Sequence, residues 1–233
     1  MGIFFDTVSR KYSKTQLVID PEPTLKIGRP ERARAEILNA ALRFLWSQPF
    51  RNLTVNKLME DTSISRAAFY YHFADIHELM ETLLQTFESE IMAGASPWFE
   101  DAGDPVALLH QSLAAEARLC YNRGPMLKAI TDAAGNDAQL EQAWYGLLDR
   151  FDDAVSQRIA ADQELGLVRD FDPRPVAAAL NQTDAALYVR AFGRKPRAKL
   201  GPVLDAISRL WISSIYGEQW VVGRASTLYR KVL

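Results

Sequence analysis

Residues 53–72 read LTVNKLMEDTSISRAAFYYH, and Phe73 follows. Two short helical patterns flank a tight turn, which is the layout of a helix-turn-helix. Leu53, Val55, Leu58 and Met59 give the first helix an inner face, and Ile64 fills the turn. Thr54 and Ser65 are N-capping residue types placed just ahead of the two helices. Phe69 and Phe73, four apart, share one face of the second helix and can lock it onto its neighbours. Arg66, Ala67, Ala68, Tyr70, Tyr71 and His72 lie off that face. Two small residues let the start of the helix enter a major groove about 12 Å wide, where their methyls can meet a thymine methyl. Arg66 can reach a guanine edge or a phosphate. The tyrosine hydroxyls and the His72 ring can donate to phosphate oxygens, which positions a protein without reading sequence. Thr54 and Ser65 sit at helix N-termini, where free N–H groups suit phosphate. The plainer reading makes Tyr70 and Tyr71 ordinary amphipathic packing. The caps, the turn residue and the small residues together favour a DNA face.

The pattern extends outward as helix after helix. Upstream, Ile37, Leu38, Ala41, Leu42 and Leu45 predict a helix from about Pro30 to Ser47, and the helix at Thr54 runs to about Asp61. Downstream, Asp75 can cap a helix whose apolar residues recur from Ile76 to Ile91. GASPW (94–98) and DAGDP (101–105) read as its end. Further helices are expected near 105–122, 125–134, 137–164, 173–192 and 199–217, punctuated by Gly124-Pro125, Gly135, Gly166, Pro173 and Gly201-Pro202. There is no repeat and little strand signal, so the fold class is all-α. Residues 1–29 form a basic leader containing Arg10, Lys11, Lys14, Lys26 and Arg29. Arg29, in GRP (28–30), suits a minor-groove arm, weighed evenly against a solvated basic tail.

Composition bounds the rest. The chain has 233 residues, 48% hydrophobic, with a net charge of −2. Residues 1–75 carry a balance of +3 and residues 76–233 one of −5, which suggests two jobs. Cys120 is the single cysteine, so an internal disulfide and a cysteine zinc site are excluded, in keeping with a reducing cytoplasm. No apolar run approaches the ~20 residues of a membrane span, and the first residues make a poor secretory signal. No cofactor is expected. His72 and His77 are five apart on different helix faces, which argues against a metal. Cys120 has no histidine at neighbouring helical spacing, and Asp152-Asp153 reads as a solvated face. An enzyme or scaffold with a helix-turn-helix-like corner is therefore the weaker alternative.

Ile64-Ser65, Ala67-Ala68, Phe69-Tyr70 and His72-Phe73, with AEILNAALRFL (35–45) upstream, closely resemble the TetR family of bacterial transcriptional regulators. The resemblance implies a three-helix DNA-binding domain over residues 30–92, with its motif at 53–72. It also implies a helical ligand-binding and dimerisation domain over 93–218, and leaves 219–233 as a C-terminal tail. Dimerisation in this family uses the last two helices. Here Leu200, Val203, Leu204, Ile207, Leu210, Trp211 and Ile215 form one stripe, and Val176, Leu180, Leu187 and Phe192 another. A homodimer would read a pseudo-palindromic double-stranded operator with half-sites ~34–36 Å apart. The implied function is a repressor released by a small ligand, with an activator as the alternative. Two positions depart from the family. Ser63 stands where glycine is frequent, at a cost of roughly 1–2 kcal/mol if its backbone is left-handed. Ile76, with His77 beside it, stands where a phosphate-binding lysine is frequent.

ALNQTDAALYVRAF (179–192) and LWISSIYGE (210–218) resemble the EthR branch more than the family at large. That branch implies a long apolar pocket for a hydrophobic effector, with an asparagine amide, here Asn181, offered to it. Asp184 replaces a second asparagine. It would favour a ligand with a donor or a positive charge, or would pair with Arg190 or another base. Trp144, Phe151 and Trp211 match aromatic positions of the branch, and Tyr188 lies on the same helix as Asn181. Each of these rings could equally be core. His110 and Ala117 stand where the branch has further aromatics.

Overall fold

A computed structural model describes residues 32–60, 62–100 and 103–217. Arg29, the rest of the basic leader and the C-terminal tail lie outside the described residues. Within them the chain forms eight α-helices and no strand. The first three are α1 (Arg32–Ser47), α2 (Val55–Glu60) and α3 (Arg66–His72), with a short 3-10 turn at Phe50–Asn52 between α1 and α2. Next comes α4 (Ile76–Glu100), followed by α5 (Pro105–Ala134) and α6 (Ala138–Glu164). The last two are α7 (Pro173–Phe192) and α8 (Leu200–Ile215).

Local chemistry sets these boundaries. Asp104, Asp137 and Asp172 each accept backbone N–H bonds in the first turn of α5, α6 and α7. Pro105 and Pro173 open α5 and α7, where a missing N–H costs nothing. A continuous hydrophobic core runs from Ile37 in α1 to Ile215 in α8. α5 is its axis, packing against α1, α4, α6, α7 and α8.

Two expected breaks are absent, for one physical reason. A proline inside a helix leaves the carbonyl four residues earlier without its N–H donor. In α4, Pro97 orphans the carbonyl of Ala93, and the Ser96 hydroxyl donates to it at 3.2 Å. In α5, Pro125 orphans the carbonyl of Tyr121, and Arg197 Nη1 donates to it at 2.7 Å. α4 therefore runs straight through GASPW, and the two helices expected at 105–122 and 125–134 are one. Gly124 serves packing here, not punctuation. A Cβ on it would lie 2.3 Å from the carbonyl oxygen of Phe192, so only glycine lets α5 and the end of α7 cross this closely.

The C-terminal end of α4 is fastened by a buried polar chain. Trp98 Nε1 donates to the Tyr216 hydroxyl at 2.9 Å, which donates to Asp162 Oδ2 at 2.7 Å. Arg158 pairs with Asp162 at 3.0 Å, lies over the Trp98 ring and donates to the Trp98 carbonyl, one of the last carbonyls of α4.

The stripes expected to pair two subunits mostly face inward. Leu200, Val203, Ile207, Trp211 and Ile215, with Leu180 and Phe192, are core within one protomer. The outward faces of α7 and α8 carry instead Ala179, Gln182, Ala186, Ala206, Leu210 and Ser213.

Gly124→Ala is expected to destabilise the protein by roughly 1–3 kcal/mol, the usual cost of overpacking, read as a lower midpoint in thermal unfolding. Gly135→Ala has nothing within 4 Å and a right-handed backbone, so it is expected to leave the midpoint level or slightly higher. An equal response of the two variants would contradict the close crossing.

Candidate functional site

The helix-turn-helix divides by face as its sequence suggests. Phe69 and Phe73 are 0% and 1% exposed, with ring centroids 5.7 Å apart. Tyr71 is 85% exposed and Tyr70 48%. Ser65 caps α3 by accepting from the Ala68 N–H at 3.1 Å, and Thr54 accepts from the Lys57 N–H at 3.3 Å. Both are exposed, as are Arg66 and Ala67, while Ala68 and His72 are half-buried. The His72 ring meets Tyr71 edge-on at 5.0 Å, and the Arg66 guanidinium lies 5.7 Å from the Tyr70 ring centre. A single short helix thus offers one arginine, small side chains and two phenol hydroxyls to solvent.

The structure accounts for both departures from the family pattern. Ser63 does not have a left-handed backbone, so the anticipated strain is absent. Its N–H and hydroxyl both donate to Glu36 Oε1, at 2.7 and 2.9 Å, which pins the turn to α1. His77 does not stand free for phosphate either. Its Nε2 lies 2.6 Å from Asp137 Oδ2, and its ring abuts Phe50 edge-on. Asp137 also caps α6. Burial alone would raise its pKa, but the Leu140 N–H and His77 outweigh burial and hold it below the usual carboxylate value.

A second feature lies between α4, α5, α6, α7 and α8. It is a cleft of about 450 Å³, counting the space at its open mouth. Phe151, Asn181 and Trp211 line it, as the sequence suggests. Trp144, Asp184 and Tyr188 do not, and neither do His110 and Ala117. Trp144 is core. Asp184, 2% exposed, accepts from Trp211 Nε1 at 2.7 Å and so pairs with an indole, not with Arg190. Tyr188 is stacked against Phe192. Asn181 donates to Asp152 Oδ1 at 2.7 Å, which fixes the amide while leaving its carbonyl oxygen available. Asp152 is accordingly buried, not part of a solvated face.

The residues that sequence reading missed are on α4 and α5. Ile91, Met92, Ala95, Trp98 and Phe99 supply one wall, and Glu116 supplies a carboxyl. The apolar spacing from Phe87 to Ile91 continues to Ala95 and Trp98. It was hidden by the assumption that Gly94 and Pro97 end the helix. Cys120 is buried, and burial pushes its thiol pKa up, so it is not a reactive nucleophile. Among the described residues no cluster of three or more His, Cys, Asp or Glu could hold a metal, and no helix is long and apolar enough to cross a membrane.

Known proteins share both halves. Residues 37–83 match the family model for bacterial regulatory proteins of the tetR family, and residues 109–217 match that for the C-terminal domain of the transcriptional regulator EthR. The HTH-type transcriptional regulator EthR of Mycolicibacterium smegmatis is 24% identical over 190 residues, covering 78% of this chain and 86% of that protein. EthR of Mycobacterium tuberculosis is 23% identical over 188 residues, covering 78% and 86%. Among solved structures, the regulatory protein TetR of Rhodobacter sphaeroides has a TM-score of 0.64 at 17% identity, over 78% of this chain and 98% of that one.

Phe69→Ala is expected to cost about 3–5 kcal/mol in urea unfolding. Tyr71→Ala is expected to cost no more than about 0.5 kcal/mol. A comparable loss in both would mean that α3 has no free outer face.

Proposed function

The chain belongs to the TetR family of bacterial transcriptional regulators and carries an EthR-type C-terminal domain, and on that premise we propose that it is a homodimeric, cytoplasmic repressor released from its operator by a small hydrophobic effector. Family membership sets aside the enzyme reading.

The observation that carries the proposal is α4. It begins three residues after the end of α3 and ends as one wall of the cleft. One rigid element therefore meets both the DNA-facing unit and the effector space. The division of labour near residue 92 falls within this helix. Thr54, Ser65, Arg66, Ala67, Ala68, Tyr70, Tyr71 and His72 would meet DNA, with Arg29 reaching into the minor groove. Phe151, Asn181 and Trp211 would meet the effector, with Asp184 acting from behind Trp211. The outward faces of α7 and α8, where Ala179, Ala186, Ala206 and Ser213 stand beside Arg190, Asp205 and Arg209, would pack against their symmetry mates at the small side chains. The mechanism is a population shift: DNA favours one separation of the two α3 helices, and effector favours another.

Gel shifts on DNA upstream of the protein's own gene test the core of this reading. The expected result is a specific complex whose affinity falls steeply with salt. Absence of a salt-sensitive specific complex would sink it. Ala186→Arg with Ala206→Arg is expected to give monomers in sedimentation and to weaken operator binding at least about tenfold, with helical content by circular dichroism retained. Crystal structures with DNA and with effector are expected to differ in Tyr70-to-Tyr70 separation across the dimer, and equal separations would overturn the population shift.

A further inference from the structure

The cleft is apolar along most of its wall, where Met92, Trp98, Phe99, Leu113, Phe151 and Trp211 meet. One ionisable side chain faces into it, Glu116 of α5. Among the described residues its carboxyl forms no hydrogen bond or salt bridge, and no lysine or arginine lines the cleft. Just behind the wall lie Asp184 and Tyr188 of α7, and Cys120 one turn along α5 from Glu116. Asp184 uses Oδ2 on the Trp211 indole, while its Oδ1 has no partner. The Tyr188 hydroxyl, 1% exposed, also has none.

Buried polar atoms are nearly always paired, and a buried carboxyl near a half-buried one, without a base, is costly. The electrostatics register that cost. Burial pushes the Glu116 pKa up to about 7. Burial first, and then Glu116, push Asp184 well above the usual carboxylate range, with the Trp211 bond opposing. Burial first, and then the same two acids, raise Tyr188 and Cys120, and no positive charge is among the causes at any of the four groups.

We propose that the effector is an amphiphilic cation: a protonated amine seated on the Glu116 carboxyl, with Asp184 behind it, and an apolar body lying along the aromatic wall. The ammonium supplies the counter-charge the cluster lacks, and its hydrogens meet oxygens that have no donor. An anionic head would be repelled by the same carboxyls. A neutral alcohol would gain the apolar contacts and one hydrogen bond to the carboxyl, but would supply no counter-charge. This inference rests on the cleft being the effector site. It adds Glu116 as the residue that selects the chemical class of effector.

Isothermal titration of the full chain with n-octylamine, 1-octanol and octanoate tests it at pH 7, in two buffers of different ionisation enthalpy. The amine is expected to bind at least about tenfold tighter than the alcohol, with octanoate weakest. Glu116→Gln is expected to erase the preference for the amine while leaving octanol binding in place. Amine binding is expected to release roughly half a proton from Glu116, since a group with a pKa of about 7 is half-protonated at that pH. This readout needs no variant and stands even if Glu116→Gln fails to fold. Equal affinity for amine and alcohol, a preference that survives Glu116→Gln, or no proton release would each overturn the cationic class while keeping the cleft as an effector site. Absence of binding by all three probes would overturn the cleft itself.

Discussion

A backbone carbonyl without a donor is the constraint on which this fold turns. Pro97, near the end of α4, and Pro125, within α5, each create one, and in water either would be a natural place to stop. The chain answers each locally. Ser96 reaches one turn back to Ala93, and Arg197 arrives from the α7–α8 connection to reach Tyr121. With those bonds made, α4 and α5 stay whole, and every later helix packs against an unbroken pair. Arg197 does more than satisfy a carbonyl. Its guanidinium lies 3.7 Å from the Tyr121 ring centre and 4.7 Å from that of Trp46 at the end of α1. The connection between the last two helices is thereby pressed against the first.

The C-terminal half follows a second regularity: its buried acids are paired with neutral donors more often than with bases. Asp184 takes the Trp211 indole, and Asp152 takes the Asn181 amide. Asp162 takes the Tyr216 hydroxyl as well as Arg158. Hydrogen bonds to a carboxylate orient the aromatic rings that form the cleft wall, so the shape of the apolar space depends on polar contacts behind it.

Much of the fold was legible because periodicity and caps agree. Ser65, Thr54, Phe69 and Phe73 do in the structure what their spacing suggests. The helices of the C-terminal half begin and end within a few residues of their Pro and Gly signals, save two. Gly94-Pro97 and Gly124-Pro125 misled because the partners that neutralise them act out of sight of local reading. Arg197 is 72 residues from Pro125, and the atom that Gly124 makes room for belongs to Phe192. The wall of the cleft was half legible for the same reason. Phe151, Asn181 and Trp211 lie on helices already recognised, whereas Trp98 and Phe99 lie on a stretch read as a break. The apolar stripe of α8 is real, but periodicity alone does not say whether a stripe faces its own core or another subunit.

The hydrogen bond between His77 and Asp137 has a mechanical consequence. It holds the first turn of α4 to the first turn of α6, close to α3. Trp98 lies 21 residues further along the same helix, about 32 Å at the usual rise per residue. Were the fastening at Trp98 to shift while this bond held, the rod would turn about the held end. One ångström of displacement at Trp98 is then a tilt of about 2° over that length. Because the distance from the pivot to α3 is short, such a tilt moves α3 by much less than it moves the cleft wall. The device is geared down toward DNA. Under the proposed population shift, small changes of angle, opposed across a twofold axis, would be the form in which this helix transmits a signal.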